Sequence, residues 1–379
     1  MDFEPGMVLL EGANGAGKSN LIEALYLLAI AKSLRASSDR ELVRWQPAAE
    51  AAHAQVAAVV QRDSERLRVQ VDLMGAAPLV DGPALDEPVP ATSVQKYVRV
   101  NGAPRRTSDL VGELNAVMFS AQDLQLVYGP PSLRRRYLDI LISQLDRQYL
   151  RTMQRYQRIV EQRNHLLKSV RERRSDPDEL GFWDGQIVET GKYIMSRRAG
   201  ILESLSESAR SIYTQLSGDG EALALDYRPS VEVGPGAAEE EVARSLELAL
   251  VEGRPRELAQ GHTTSGPHRD DISVLLGGME AGLYASRGQC RSAVLAMKLA
   301  EAGLLKEERG QGPVLLLDDL LSELDSERRY RVLDQASHYQ QCFVTTADAD
   351  TIDGRLLSRM ARFEVRQGHV EPSHVSSGP

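Results

Sequence analysis

The sequence predicts an α/β fold: a nucleotide-binding sheet whose chain is interrupted by an inserted, largely helical second lobe. Three observations lead there. Residues 12–19 read Gly-Ala-Asn-Gly-Ala-Gly-Lys-Ser, two glycines followed by lysine and a hydroxyl residue at phosphate-loop spacing. Residues 313–319 read Pro-Val-Leu-Leu-Leu-Asp-Asp, an apolar run of central-strand type that ends in two carboxylates. Between these segments, residues 133–217 carry long polar side chains in a helical pattern with few turn residues.

Taken in order, Met7, Val8, Leu9 and Leu10 form a buried-strand run, and Leu21, Ile22, Leu25, Leu28 and Ala29 repeat at helical spacing. Strand, loop and helix therefore occur in the order a phosphate site needs. Gly12, Gly15 and Gly17 permit a turn in which backbone N–H groups face inward, and the helix directs its positive end at the anion. Lys18 can reach the β and γ phosphates, and the Ser19 hydroxyl can enter the shell of a Mg²⁺ ion. Residues 56–60 and 67–73 predict strands, the second with alternation at Leu67, Val69, Val71 and Leu73. Pro78, Pro83, Pro88 and Pro90 predict an exposed loop over 75–93. Strands are expected again at 97–100, before the tight-turn pair Asn101-Gly102, and at 116–119. A Pro/Gly-rich break at 229–238 precedes an acidic helix at 239–251, and strands and helices alternate from 271 to 365. The tail 367–379 is expected to be disordered.

A chain of 379 residues exceeds the usual single domain and suggests two lobes. With 42% hydrophobic and 26% charged residues, and no apolar stretch long enough to cross a bilayer, a soluble globular protein is expected. No secretory signal is evident, and the two cysteines, Cys290 and Cys342, read as reduced packing residues, so a cytoplasmic location is expected. His262, His268 and Cys290 lack the spacing of a zinc site. The net charge of −9 argues against a protein that coats nucleic acid over its whole surface, though a local basic face is compatible with it. Residues 134–174 supply that face: twelve Lys/Arg against four acids, a local charge of +8. Arg147, Arg151, Arg155 and Arg158 share one helical face able to follow a phosphate backbone without reading bases.

The carboxylates at the strand end complete the nucleotide reading. Asp318 is placed to hold the metal and Asp319 to orient the attacking water. Ser286-Arg287-Gly288-Gln289 stands before a helix, where a hydroxyl and a glycine amide suit either an anion or an ordinary N-cap.

The segments 12–20, 286–289, 315–319 and 322–325 together resemble the ATP-binding-cassette head ATPases of the SMC class. Within that class the chain resembles the RecF family of recombination mediators. Further anchors are Tyr26-Leu27-Leu28-Ala29, Lys32-Ser33-Leu34-Arg35, Phe119-Ser120, Asp123-Leu124, Arg134-Arg135-Arg136-Tyr137-Leu138-Asp139, Ile142-Ser143-Gln144 and Gly266-Pro267-His268-Arg269-Asp270-Asp271. The resemblance implies an ABC-type head with phosphate held by Gly12, Ala13, Asn14, Gly15, Ala16, Gly17, Lys18, Ser19 and Asn20. It implies that Ser286, Gly288 and Gln289 complete the ATP site of a second subunit and that Ser19, Asp318 and Gln122 surround Mg²⁺. Lys18 and Asp319 would support hydrolysis, and Asp325 would sense the partner. The implied layout is an ATPase lobe at 1–125 and 263–366 with a helical lobe at 126–262. Members of that family usually carry about two more short strands before the segment matching residues 3–10, whereas this chain starts almost at the phosphate loop, a departure that implies either a misassigned start or weakened nucleotide binding. Asp319, one methylene shorter than the glutamate of transporter ATPases, implies slow turnover. Thr345-Thr346-Ala347-Asp348 stands where transporters carry a histidine switch.

The expected activity is an ATP-driven homodimer that binds duplex and single-stranded DNA at gaps, works with a RecR-type mediator to load recombinase, and opens on slow hydrolysis. The alternatives are a P-loop small-molecule kinase, which would need an acceptor pocket and a lid, and a nonhydrolysing scaffold.

Overall fold

A computed structural model of the chain describes residues 1–44, 46–47, 52–62, 65–75, 88–89, 93–217 and 221–373. Most of the expected proline-rich loop at 75–93 lies outside the described residues. The principal elements run β1 (Gly6–Glu11), α1 (Lys18–Ile30), β2 (His53–Arg62), β3 (Glu65–Gly75), β4 (Val94–Val100), β5 (Ala103–Arg105) and β6 (Ala116–Ser120). They continue with α2 (Pro131–Leu145), α3 (Arg147–Arg171), α4 (Leu180–Ser217), β7 (Leu223–Arg228), α5 (Glu239–Gln260), β8 (Asp271–Leu276) and β9 (Met279–Glu280). Last come α6 (Arg287–Arg309), β10 (Val314–Asp318), α7 (Ser326–Ala336), β11 (Gln341–Thr346), β12 (Met360–Arg366) and β13 (His369–Pro372).

Two compact units result: residues 1–121 with 305–379, and residues 122–304. The first holds a six-stranded sheet in the order β13-β12-β1-β11-β10-β6, parallel except for the edge strand β13. The apolar runs of β1 and β10 are continuous rather than alternating because both faces of a parallel sheet are covered: Val8, Leu9, Leu10, Leu315, Leu316 and Leu317 are wholly buried. β11 separates β1 from β10, so the phosphate loop and the acidic strand end are second neighbours, and Thr345, one residue before the end of β11, stands between them.

The same unit carries the antiparallel sheet β2-β3-β4-β5. Leu67, Val69, Val71 and Leu73 are buried in alternation, as the period of two requires. Asn101 and Gly102, at φ 51° and 80°, form the hairpin turn between β4 and β5 that this residue pair favours.

The second unit is built on α2 to α5 and the three-stranded sheet β9-β8-β7. α5 runs nine residues beyond the expected end at 251, through Pro255 to a left-handed Gly261 at φ 74°. One proline removes a single helical donor, and the turn after it is held by Glu257, a wholly buried side chain that accepts from the Thr264 N–H at 2.6 Å. Residues 263–304, expected with the ATPase lobe, fall in this second unit because β8 pairs antiparallel with β7 along its whole length. The expected tail 367–379 needs a second correction. Gln367 and Gly368 make a turn with both φ values positive, and β13 pairs back on β12. Residues 374–379 lie outside the described residues.

Candidate nucleotide site and basic helix

The phosphate loop is shaped from two sides. Gly15 and Gly17 adopt φ 80° and 107°, which disfavours any side chain. Gly15 has open space around it, whereas a Cβ on Gly12 would lie 2.3 Å from the Val365 carbonyl and one on Gly17 would lie 3.2 Å from Gly368. Gly12 and Gly17 are thus demanded by the β12–β13 hairpin and Gly15 by the turn itself. The Gly368 N–H donates to the Ala16 carbonyl at 2.7 Å, which holds that oxygen outward. Lys18 is only 7% exposed and donates from Nζ to the carbonyls of Gly12 at 2.6 Å and Ala13 at 3.1 Å. No side chain caps the start of α1, and while the Asn20 N–H turns back to the Gly17 carbonyl at 3.1 Å, the N–H groups of Lys18 and Ser19 are placed for an anion. Ala13, Asn14, Gly15 and Asn20 are exposed around this cradle.

The carboxylate half meets it. Ser19 Oγ donates to Asp318 Oδ1 at 2.9 Å. The Thr345 hydroxyl, at the end of the intervening strand, also donates to Asp318 Oδ1 at 3.1 Å and accepts from the Asp319 N–H at 2.8 Å. The Arg35 guanidinium takes Asp318 Oδ2. Asp318 is buried, and Asp319 is exposed with a left-handed φ of 48°. A hydroxyl and a carboxylate so close form a hard-oxygen pair that suits Mg²⁺. The predicted metal residues Ser19 and Asp318 are therefore brought together. Gln122 is exposed on the short turn Ala121–Leu124 and belongs to the other unit.

In the second unit, Ser286 and Gln289 cap α6 reciprocally. The Ser286 N–H donates to Gln289 Oε1 at 2.9 Å, and the Gln289 N–H donates to Ser286 Oγ at 3.2 Å. Gln289 also donates to Glu221 at 3.0 Å. The ordinary N-cap is thus real, yet Ser286 stays exposed beside exposed Leu283 and Tyr284. Asp325, in the first unit, caps α7: its carboxylate accepts the Arg328 N–H at 2.9 Å and pairs with the Arg328 guanidinium at 2.8 Å. The backbone donor, then the guanidinium, holds this carboxyl below its usual range.

The arginines of α3 divide. Arg147, Arg151, Arg155 and Arg158 are all exposed on one side, opposite buried Tyr149, Met153, Tyr156 and Ile159. Arg155 donates to Gln186. Arg163, counted with the basic face from sequence, is wholly buried and pairs with Glu257 at 2.6 Å and Asp184 at 2.8 Å. Arg134, counted likewise, pairs with Asp271 at 2.7 Å. The surface charge of this segment is smaller than its composition, since buried cations are matched by carboxylates from distant chain positions.

The segment 266–271 is an internal junction. A Cβ on Gly266, at φ 122°, would lie 2.4 Å from the Tyr156 hydroxyl. That hydroxyl bonds His268 Nδ1 at 2.6 Å, and His268 Nε2 reaches the Thr263 carbonyl at 3.2 Å. Asp270 accepts from buried Arg198 at 3.2 Å and from the Ser230 N–H at 2.8 Å. Burial lowers the His268 pKa to about 4, with the cations Arg269, Arg135 and Arg198 adding to the effect. Among the described residues no group of three or more His, Cys, Asp or Glu could hold a metal, and no helix is long and apolar enough to cross a membrane. Cys290 and Cys342 are both free and buried, as expected.

Two participants escaped the sequence reading as site residues. Arg35 lies in the segment Lys32-Ser33-Leu34-Arg35 and Thr345 in Thr345-Thr346-Ala347-Asp348, both noticed only as motifs. Their convergence on Asp318 joins segments remote in sequence, which no local pattern encodes.

Residues 1–370 match the family model described as the RecF/RecN/SMC N terminal domain. The DNA replication and repair protein RecF of Chloroflexus aurantiacus is 42% identical over 374 residues, covering 97% of this chain and 94% of that protein. RecF of Roseiflexus castenholzii is 40% identical over 382 residues, covering 98% and 95%. A solved structure of the recombination mediator protein RecF-ATP in the RecFOR pathway superposes with a TM-score of 0.85 at 31% identity, covering 98% of this chain and 93% of the other. The ABC-type head fold, the phosphate loop facing the acidic strand end and this similarity along nearly the whole chain lead to one assignment: the chain belongs to the RecF family.

Proposed function

We propose that this protein is an ATP-switched DNA-binding protein of recombinational repair and replication restart. The observation that carries the reading is the pairing of Ser19 with Asp318 at 2.9 Å below a phosphate loop whose helix start has no side-chain cap. Lys18 would exchange the carbonyls of Gly12 and Ala13 for the β and γ phosphates. The N–H groups of residues 14–19 would surround the polyphosphate. Ser19 and Asp318 would hold Mg²⁺, which supplies neutralisation of charge on the phosphates. Asp319 is exposed, so its carboxylate is free to orient a water toward the γ-phosphate. Its short side chain favours slow turnover, which suits a timer.

The exposed Ser286 and the Gly288 amide would contact the γ-phosphate bound by a second copy. ATP then stabilises the dimer because only the closed state makes those contacts. Asp325 would report that closure. The exposed arginines of α3 would hold a DNA backbone without base readout. Relatives carry the name DNA replication and repair protein RecF, and the solved relative is placed in the RecFOR pathway, which supports DNA as the target and a RecR-type mediator as the partner; gaps in that DNA would be the sites bound.

Light scattering with ATP, with ADP and without nucleotide, each with and without gapped DNA, tests this reading. A dimer is expected only with ATP, and Ser286→Arg abolishes it. A Ser286→Arg protein that still dimerises with ATP eliminates the sandwich.

A further inference from the structure

Beyond the ends of β10 and β11 the chain makes two loops, 319–325 and 346–352, that the parallel pairing no longer holds, since its register ends at Leu317 and Val344. Each loop is stiffened locally. In the first, the Ser322 hydroxyl donates to the Asp319 carbonyl at 2.9 Å, and Asp325 caps α7. In the second, the Thr346 hydroxyl donates to the Asp348 carbonyl at 3.0 Å and accepts from the Asp348 N–H at 3.1 Å. The Thr351 hydroxyl donates to the same carbonyl at 2.9 Å, and the Asp348 carboxylate accepts from the Asp350 N–H at 3.0 Å.

The two loops are joined at both ends. At the near end the Asp319 N–H donates to the Thr345 hydroxyl at 2.8 Å. At the far end stands Arg329, half-buried in the first turn of α7. Its Nε donates to the Leu321 carbonyl at 3.1 Å and its Nη2 to the Leu324 carbonyl at 2.9 Å, while Nη1 donates to the Thr351 carbonyl. A guanidinium presents its donors in a rigid planar fork, so one side chain fixes carbonyls of both loops relative to each other. Leu321 follows Asp319 by two residues and Leu324 precedes Asp325 by one. The clamp therefore lies between the carboxylate placed to orient water and the carboxylate placed at the partner.

We propose that Arg329 is a positioning residue for ATP hydrolysis: it makes the two loops one unit, so that contact of a second subunit with Asp325 sets Asp319 and the segment after β11 together. This rests on the roles proposed above for Asp319 and Asp325. Without the fork, the backbone of 320–324 would absorb a displacement at Asp325 before it reached Asp319. Arg329 acts through the carbonyls it holds, not on the reacting atoms.

Steady-state ATP hydrolysis and equilibrium binding of a fluorescent ATP analogue, measured on Arg329→Gln and Arg329→Lys, test the clamp. In Arg329→Gln, kcat is expected to fall about ten- to hundredfold, the scale of a small misplacement near the chemistry. Analogue affinity, read at protein concentrations too low for dimers, is expected to stay near the parent value. Arg329→Lys is expected to recover little, because a single ammonium lacks the fork. A kcat near that of the parent in Arg329→Gln overturns the proposal, and so does a loss of kcat matched by an equal loss of analogue affinity. Hydrogen exchange of the parent protein tests it without any substitution. Amides of 319–325 and 346–352 are expected to gain protection together when ATP is added, and protection of 319–325 alone overturns the clamp. A parent that binds the analogue without hydrolysing ATP refutes the role given to Asp319, an outcome that the exchange measurement keeps separate from the clamp.

Discussion

The two sides of α3 carry the same residue type and have opposite consequences. Arg147, Arg151, Arg155 and Arg158 are exposed, while Arg163 on the same helix is wholly buried between Glu257 and Asp184. In composition they are equal contributions to one basic segment. In the folded protein the exposed four form a field that a polyanion can reach, and Arg163 is neutralised by partners drawn from α4 and α5. A charge count therefore overestimates an interface wherever helices pack, and solvent exposure decides which cations count.

The largest test of that contrast is Arg163→Ala, which leaves Glu257 buried without its cation and is expected to cost about 3–5 kcal/mol in urea unfolding. Pairing Arg163→Met with Glu257→Leu is expected to recover most of that loss. DNA affinity of the remaining folded protein should not change; a fall matching that of the exposed arginines would erase the distinction.

Replacing the exposed four with alanine is expected to weaken DNA binding about a hundredfold at moderate salt and to flatten the salt dependence by about 0.9 per lost contact. Fluorescence anisotropy across a salt series reads both quantities, and an unchanged slope would move the DNA surface elsewhere.

A partly buried imidazole sets a pH response. His268 has a folded pKa of about 4 against an ordinary value of 6.5, chiefly because burial disfavours the imidazolium. Between those values the unfolded chain binds the proton and the folded chain does not. Stability is therefore lost as pH falls from about 6.5 to about 4, by about 2–3 kcal/mol in total. Urea midpoints at pH 7 and pH 4.5 should differ more for the parent than for His268→Gln; equal differences would show that this imidazole contributes nothing. The smallest effect belongs to Arg151→Ala alone, which should alter stability by under about 0.5 kcal/mol, since an exposed arginine makes little net contribution.

Much of the candidate site was legible because its chemistry is local. The loop 12–19 needs small residues for its turns, and β10 needs an apolar run ending in acid, so both are written in consecutive residues. The reciprocal cap of Ser286 and Gln289 is equally local. What stayed hidden is what depends on distant chain positions: Thr345 reaches Asp318 because β11 lies beside β10, and Arg35 reaches it from the loop that follows α1, some 280 residues earlier in the chain. The hairpin turn at Gln367 and Gly368 was hidden for a similar reason. Polar residues near a chain end look disordered unless a neighbouring strand, here β12, is there to pair with them.

By itself the amino-acid order determined the α/β class, the anion cradle and the acidic strand end, because turns, strand burial and helix starts depend on side chains within a few positions. Tertiary structure alone decided which arginines face water, which cation neutralises Asp318, and that Gly12 and Gly17 must clear a hairpin over 340 residues away. Those outcomes depend on desolvation and on contacts between remote segments, and both are set only when the chain has packed.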